Sequence, residues 1–417
     1  MKKIGYIIGF LWCCICTAPL GASAQSAEGW FTLRGVVRDA ETRRPIENAN
    51  VTVVNSNVGT VTNADGLFSL RIAADEADEG VRISHIGYGD ARIASDRIAA
   101  LKADTTVWLT PAALMVEAIT VLGGDARRVV DEALKRIPSN YAAESNILSA
   151  FYRETIRKQN RYVSVSEAVA EIGKTDYSRR NVIRDRVQIL KGRRLISQKK
   201  SDTLAVKVVG GPTLPIVLDV VKNEDVLFGV TDIDDYAFSM ELPSTAGGRM
   251  QYVISFRPRV VRDYALYNGR IFIDSESLAF TRIEFELDMS DRQKATRAVL
   301  HKSPAGLRFR PSEVSYVVTY RQQGDRTYFN YIRNTIRFRC NWEKRMFAAA
   351  YTSCTEAVMV DRREGDAAID RREAFGRNEI FYDKVETYWD EDYWRDYNII
   401  EPTESLEQAV HRLRKQY

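Results

Sequence analysis

The chain has 417 residues, with 60 Lys and Arg against 56 Asp and Glu, so its formal net charge is only +4. That balance excludes the marked basic excess usual in nucleic-acid binders, while the length allows two or three domains with a sizeable core. Beyond residue 24 no stretch supplies the ~20 consecutive apolar residues that a membrane-spanning helix needs.

In chain order, Lys2 and Lys3 precede an apolar stretch over 4–20 and an Ala22-Ser23-Ala24 cleavage pattern. Together they predict an export signal over 1–24 and a mature chain from Gln25 that works outside the cytoplasm. Cys13, Cys14 and Cys16 lie inside the apolar stretch without the leucine-then-small-residue pattern of a lipoprotein signal, so no lipid attachment is expected.

Residues 30–112 read as a β-sandwich. Short alternating stretches at 31–37, 49–54, 58–62, 67–70, 81–84 and 106–109 are separated by turn residues, among them Asn63-Ala64-Asp65-Gly66. Asp65 is read as a turn side chain bonded to its own loop, not as a metal ligand or catalytic acid. The pieces Gly35-Val36-Val37-Arg38-Asp39, Gly59-Thr60-Val61-Thr62-Asn63-Ala64-Asp65-Gly66-Leu67-Phe68, Ile83-Ser84-His85-Ile86-Gly87-Tyr88 and Val107-Trp108-Leu109 resemble the carboxypeptidase regulatory-like domain. That family is a transthyretin-like sandwich common at the front of envelope proteins of Bacteroidetes-type bacteria. The resemblance implies a packing or docking module without activity of its own, in the periplasm or on the periplasmic face of the outer membrane. The same domain precedes the plug and barrel of outer-membrane receptors, and the stretch 114–121 is similar to the linker to such a plug. A 22-stranded barrel with spans of about 10 residues needs several hundred residues beyond its plug, more than the roughly 300 that follow residue 111.

Residues 113–144 form a linker with a helix over 126–137, where Val129, Val130, Ala133, Leu134 and Ile137 share a face and Pro138 ends the run. Residues 145–362 read as a larger antiparallel β-rich domain, a curved sheet or open barrel. Its alternating stretches are 151–154, 162–170, 248–256, 269–274, 281–287, 314–320 and 328–340, and in one of them Ile283, Phe285 and Leu287 oppose Arg282, Glu284 and Glu286. The fold class is therefore mainly β with a few helices. Phe151-Tyr152-Arg153-Glu154, Gly210-Gly211-Pro212 with Leu218-Asp219-Val220-Val221-Lys222-Asn223, Gly269-Arg270-Ile271-Phe272-Ile273-Asp274 and Tyr393-Trp394-Arg395-Asp396-Tyr397-Asn398-Ile399-Ile400-Glu401-Pro402 resemble a family of uncharacterised envelope proteins, which implies no activity. The unit 266–287, with its Asp274-Ser275-Glu276-Ser277 turn, is similar to periplasmic lipoprotein carriers. That likeness implies a half-open barrel for acyl chains, against which stands a sheet filled by its own core.

Residues 363–417 form a tail in which Asp383, Glu386, Asp390, Glu391, Asp392 and Asp396 lie among Tyr388, Trp389, Tyr393 and Trp394. It is expected to fold back on Trp389, Tyr393 and Trp394, and to end in a helix over 405–414 that docks Leu406, Ala409, Val410 and Leu413 on the main sheet. Arg179, Arg180, Arg184, Arg186, Lys191, Arg193, Arg194, Lys199 and Lys200 crowd one segment with only Asp185 to offset them. They read as a solvated strand face, with lipid head groups, an acidic partner or the acidic tail as alternatives. Cys340 and Cys354 fit either a disulfide or two buried thiols.

No catalytic motif accompanies these features. The histidines are His85, His301 and His411, each in a different region, and no H-E-x-x-H, C-x-x-C, G-x-S-x-G or phosphate-binding glycine loop occurs. Glu284 and Glu286 lie on a polar strand face, where carboxylates are usually solvated. The expectation is a non-catalytic envelope protein without cofactor or metal. It would bind an envelope protein, carry a lipid or other hydrophobic ligand, or serve an outer-membrane transport or receptor system, with peripheral membrane contact and no nucleic acid.

Overall fold

The computed structural model describes residues 29–415 apart from 75, 77–78, 101–103, 113–124, 200–201, 203–206, 230–231, 301–304, 343–347, 366–367 and 390–396. The expected export signal and much of the linker therefore lie outside the described residues.

The front unit consists of β1 (Trp30–Asp39), β2 (Asn50–Val53), β3 (Gly59–Val61), β4 (Leu67–Ala73), β5 (Val81–Ser84), β6 (Ala91–Ile93), a short helix α1 (Ser95–Ala100) and β7 (Thr105–Leu109). Two sheets result, ordered β4-β1-β7 and β3-β2-β5-β6. Alternation sets their facing: Leu33, Val37, Val51, Phe68, Ile72 and Ile83 are among the residues that close the sandwich core. The three-residue β6 is too short to show a period, and the sequence left it unread. At the turn before β4, Gly66 takes φ +73 and approaches the Val37 carbonyl, where a Cβ would lie 2.5 Å away.

The linker helix α2 (Ala126–Lys135) is capped by Asp125, whose carboxylate accepts from the Arg128 N–H. It stops short of Pro138, which sits in the first turn of α3 (Ile137–Asn140), where a missing N–H costs nothing.

The main unit is one antiparallel sheet. In chain order it comprises β8 (Asn146–Lys158), β9 (Arg161–Lys174), β10 (Arg186–Ile196), a crossover with α4 (Leu214–Val217), β11 (Tyr236–Met240), β12 (Ser244–Ala246), β13 (Arg249–Pro258), β14 (Tyr267–Asp274), β15 (Phe280–Leu287), α5 (Arg292–Val299), β16 (Leu307–Gln323), β17 (Arg326–Trp342) and β18 (Ala349–Glu364). The spatial order is β10-β9-β8-β18-β17-β16-β15-β14-β13-β11, with β12 beside β13. The chain enters in the middle, walks to the β10 edge, crosses to the β11 edge and returns by a meander that closes β18 on β8. At ~4.8 Å between strands the crossover must travel roughly 40 Å over one face. The tail follows as α6 (Phe381–Lys384) and α7 (Glu404–Arg414).

Both faces of this sheet are covered. On one, Tyr152, Ala170, Ile254, Ile271, Phe280 and Ile332 pack against Val129 and Val130 of α2, Tyr141, Val220 and Phe228 of the crossover, and Phe381 of α6. On the other, Phe151, Tyr331, Val358 and Val360 meet Val61 of the sandwich and Ile400 of the tail, while Val165 and Leu195 receive Leu406 and Leu413 of α7. Double coverage is why β9 is a nearly continuous buried run where alternation was expected. The apolar face that a lipid carrier would keep open is thus filled by the protein's own side chains.

Cys340 and Cys354 are free thiols. In the β17–β18 ladder Cys340 pairs with Ala349 and Cys354 with Thr335, which puts them on opposite faces and five residues apart along the sheet. Five residues at ~3.3 Å each is well beyond the ~7 Å limit for Cα atoms in a disulfide. Burial pushes the Cys340 thiol up to about 11.

Candidate functional site at the seam between sandwich and sheet

The sandwich sits on the sheet through polar bonds around a small apolar centre. Asn57 Nδ2 donates to the Arg362 carbonyl (2.7 Å), Arg321 Nη2 to the Asn57 carbonyl (2.8 Å) and Asn330 Nδ2 to Asn50 Oδ1 (2.8 Å), while Arg333 pairs with Glu47. The tail stitches the two together. Thr60 Oγ1 donates to the Ile399 carbonyl (2.9 Å), Asn63 Nδ2 to the Glu401 carbonyl (2.9 Å) and Arg153 Nη2 to the Ile400 carbonyl (2.9 Å). Asn398 accepts from the Arg71 N–H (2.6 Å) and donates to its carbonyl (3.0 Å), as an added strand residue would.

Two clefts border this contact. One, of about 340 Å³, is walled by Asn50, Thr52, Arg82, Ser84 and His85 of the sandwich and by Arg249, Gln251, Thr281, Arg282, Tyr320 and Arg321 of the sheet. The other, of about 500 Å³, is lined among others by Glu47, Asp65, Arg153, Arg157, Glu313, Arg333, Arg337, Glu356 and Glu401, with mixed charge. In the first cleft His85 stays neutral near pH 7: burial, then the charge of Arg282, lowers its imidazolium to about 4.

Beneath the sheet lies a charge network that the chain never opens to solvent. Asp219, on the crossover, accepts from Lys174 Nζ (2.6 Å), Tyr177 Oη (2.6 Å) and Tyr320 Oη (2.9 Å). Lys222 donates to Asp185 Oδ1 (2.8 Å) and to the Thr175 carbonyl (2.5 Å), and both lysines are fully buried. Burial lowers the Lys222 ammonium to about 8, aided by Lys174; burial also acts on Lys174, but Asp219 and Asp185 outweigh it and hold that ammonium above its usual range. The arrangement anchors the crossover. A second network joins strands on the opposite face: Glu167 accepts from Arg153 Nε and Arg193 Nε, each at 2.7 Å.

The four sequence motifs sort onto these features. In Phe151-Tyr152-Arg153-Glu154, alternate residues serve alternate faces, with Phe151 in the seam, Tyr152 in the core and Arg153 on Glu167. Glu154 is buried beside Tyr152 Oη (3.1 Å), and burial, with Asp383 nearby, pushes its carboxyl from 4.5 up to about 7. The folded protein therefore holds a proton that the unfolded chain has released between pH 4.5 and 7, so this group's contribution to stability falls as pH rises through that window. Glu154→Gln is expected to flatten that slope and stabilise the fold by roughly 2–3 kcal/mol at pH 8. Urea midpoints of both proteins at pH 5 and pH 8 check this; equal slopes would place the titration elsewhere. In the third motif Gly269 lets β15 approach, since a Cβ would lie 2.2 Å from the Glu284 carbonyl oxygen. There too Asp274 receives Arg249 Nε (3.1 Å) and the Ser277 N–H (2.9 Å).

The basic segment does not form one patch. Arg179, Arg184 and Lys199 are exposed, and Lys200 lies outside the described residues. Arg180 instead donates to the Val221 and Phe228 carbonyls (3.1 and 3.0 Å), and Arg186 to the Ile183 carbonyl (2.6 Å). Lys191 lies over the Tyr397 ring, Arg193 is bound to Glu167, and Arg194 pairs with Glu386 of the tail. The tail folds back through Phe381 and Val385, both fully buried, whereas Trp389 is 52 % exposed; Tyr393, Trp394 and the acids at 390–392 and 396 lie outside the described residues. In the front turn, Asn63 Oδ1 rather than Asp65 accepts the loop N–H groups, and Asp65 Oδ2 accepts from the Glu404 N–H (3.0 Å) at the start of α7. Glu284, expected to be solvated, is half-buried and held by Arg282 (2.6 Å) and Arg270 (2.9 Å). Arg82, Arg249 and Arg321 were not singled out in the sequence, and Arg282 only as part of a polar strand face, because docking of the sandwich on the sheet brings them together across some 240 residues and no local spacing marks them.

Residues 33–121 match the family model of the CarboxypepD_reg-like domain. No curated protein matches the chain. Among solved structures, a DUF1329 family protein from Desulfovibrio piger ATCC 29098 aligns at 10 % identity over 61 % of this chain and 99 % of its own, with a TM-score of 0.26. MucB in complex with MucA(peri) aligns at 13 % identity over 58 % of this chain and 99 % of its own, with a TM-score of 0.17.

Proposed function

We propose that this is an exported, non-catalytic protein of the cell envelope that works by binding, with its recognition surface at the seam between sandwich and sheet. The observation that carries the reading is the seam itself. A domain of the CarboxypepD_reg-like family is bound to the sheet by backbone and side-chain hydrogen bonds, and between the two lie clefts walled by charged side chains from both. The apolar side of the sheet is spent on the protein's own core, which favours recognition of polar partners over carriage of a lipid. The export signal pattern over 1–24 supports a periplasmic location.

Native mass spectrometry of residues 25–417 from an envelope extract, combined with crosslinking in cells, tests this. A discrete added mass or one recurrent envelope protein is expected. A bare mass without a recurrent crosslink, or recovery in the cytoplasmic fraction, would overturn it.

A further inference from the structure

We propose that the cleft between β2 and β5 of the sandwich and β13, β15 and β16 of the sheet binds the oxyanion of a small, multiply charged ligand, a phosphate or polycarboxylate. Its lining carries four guanidiniums, those of Arg82, Arg249, Arg282 and Arg321, and no carboxylate. Three have an acid partner set outside the lining: Arg82 with Asp90 (2.6 Å), Arg249 with Asp274 (3.1 Å) and Arg282 with Glu284 (2.6 Å). Glu284 must also serve Arg270, so two cations share one anion there.

Arg321 is the exception. It is partly buried, it donates to the Asn57 carbonyl, and among the described residues no carboxylate lies within ion-pairing distance of it. Burial, and then Arg362, lowers its guanidinium to about 10 against the smaller opposing pull of Asp361, which makes no ion pair with it, so it remains a cation at neutral pH. A partly buried cation with no directly paired carboxylate is costly, and an anion entering the cleft reduces that cost. Guanidinium forks also match the oxygens of phosphate and carboxylate better than an ammonium does.

Space has been kept for these groups. A Cβ on Gly59 would lie 2.6 Å from Arg321 Nη1, and one on Gly247 would lie 2.4 Å from Arg82 Nη2. His85, also in the lining, leaves its buried Nδ1 without a partner. A cleft of about 340 Å³ suits a small molecule or a single lipid headgroup.

The inference rests on the binding function proposed above and narrows it to one cleft and one chemistry. Calorimetric titration of the mature chain with inorganic pyrophosphate and with citrate, at fixed ionic strength, is the test for a free ligand. Sedimentation with phosphatidylglycerol vesicles, against phosphatidylcholine alone, is the test for a headgroup. Saturable binding in either arm is expected, weakened at least tenfold by Arg321→Gln and equally by Ser84→Asp, which sets a carboxylate into the lining. Arg179→Gln, at an exposed arginine elsewhere, should leave it unchanged, and near-ultraviolet circular dichroism confirms that each variant folds. No saturable binding in either arm, or binding that Arg321→Gln and Ser84→Asp leave intact, would overturn the site. If native mass spectrometry still finds a ligand or partner in that case, the binding function stands and only this cleft is removed.

Discussion

Asp219→Asn is expected to destabilise the main unit by about 3–5 kcal/mol, the usual cost of removing one partner from a buried ion pair. Asp219 is fully buried and is the acceptor for Lys174, Tyr177 and Tyr320 at once. Without its charge, Lys174 and Lys222 face each other with Asp185 alone between them. The loss should appear in the unfolding of the sheet and not in that of the sandwich, because among the described residues hydrogen bonds of the crossover run to the sheet and the tail and none runs to the sandwich. Adding Lys174→Met should restore part of the loss, since the uncompensated cation goes with it. Urea unfolding followed by tyrosine fluorescence reads the effect. A change below about 1 kcal/mol, the value of an exposed pair, would mean that water reaches the network.

The second large effect is expected from Glu167→Gln, again about 3–5 kcal/mol. Burial acts to raise the Glu167 carboxyl, but Arg193 and Arg153 outweigh it and hold it below its usual range, so it is the anion that both guanidiniums require. Its consequence differs from that at Asp219, because Arg153 also donates to the Ile400 carbonyl and Asn398 to Ile400 lie along the sandwich. Releasing Arg153 should therefore loosen the tail before the sheet melts. Limited proteolysis should cut the variant after residue 400 at least tenfold faster than the parent chain. An unchanged cleavage rate with an unchanged midpoint would show that the triad contributes neither stability nor tail docking.

Much of this fold was legible because its causes are local. The periods of β1 and β15, the Asn63-to-Gly66 turn and the α7 stripe of Leu406, Ala409 and Leu413 are each legible within a few residues. Where long-range packing intervenes, the local pattern misleads. Phe151-Tyr152-Arg153-Glu154 resembled a family motif, yet nothing local says that Arg153 will be buried on Glu167 or that Glu154 will be buried with the Tyr152 hydroxyl as its hydrogen-bond donor and, among the described residues, no cation on it. Arg180, Arg193 and Arg194 formed a run in sequence, but strand alternation and the crossover send each to a different partner. Cys340 and Cys354 looked bridgeable across a hairpin until the register set them five residues apart.

By itself, then, the sequence determined the two kinds of unit, their order, the sandwich family and the mainly β character, since turn chemistry and hydrophobic period act over neighbouring residues. Only the tertiary structure decided that the sheet is covered on both faces, that Asp219 and Lys222 lock the crossover beneath it, and that four arginines from distant strands meet at one cleft. Those outcomes depend on which strands become neighbours, and strand pairing is settled by the summed burial of the whole chain.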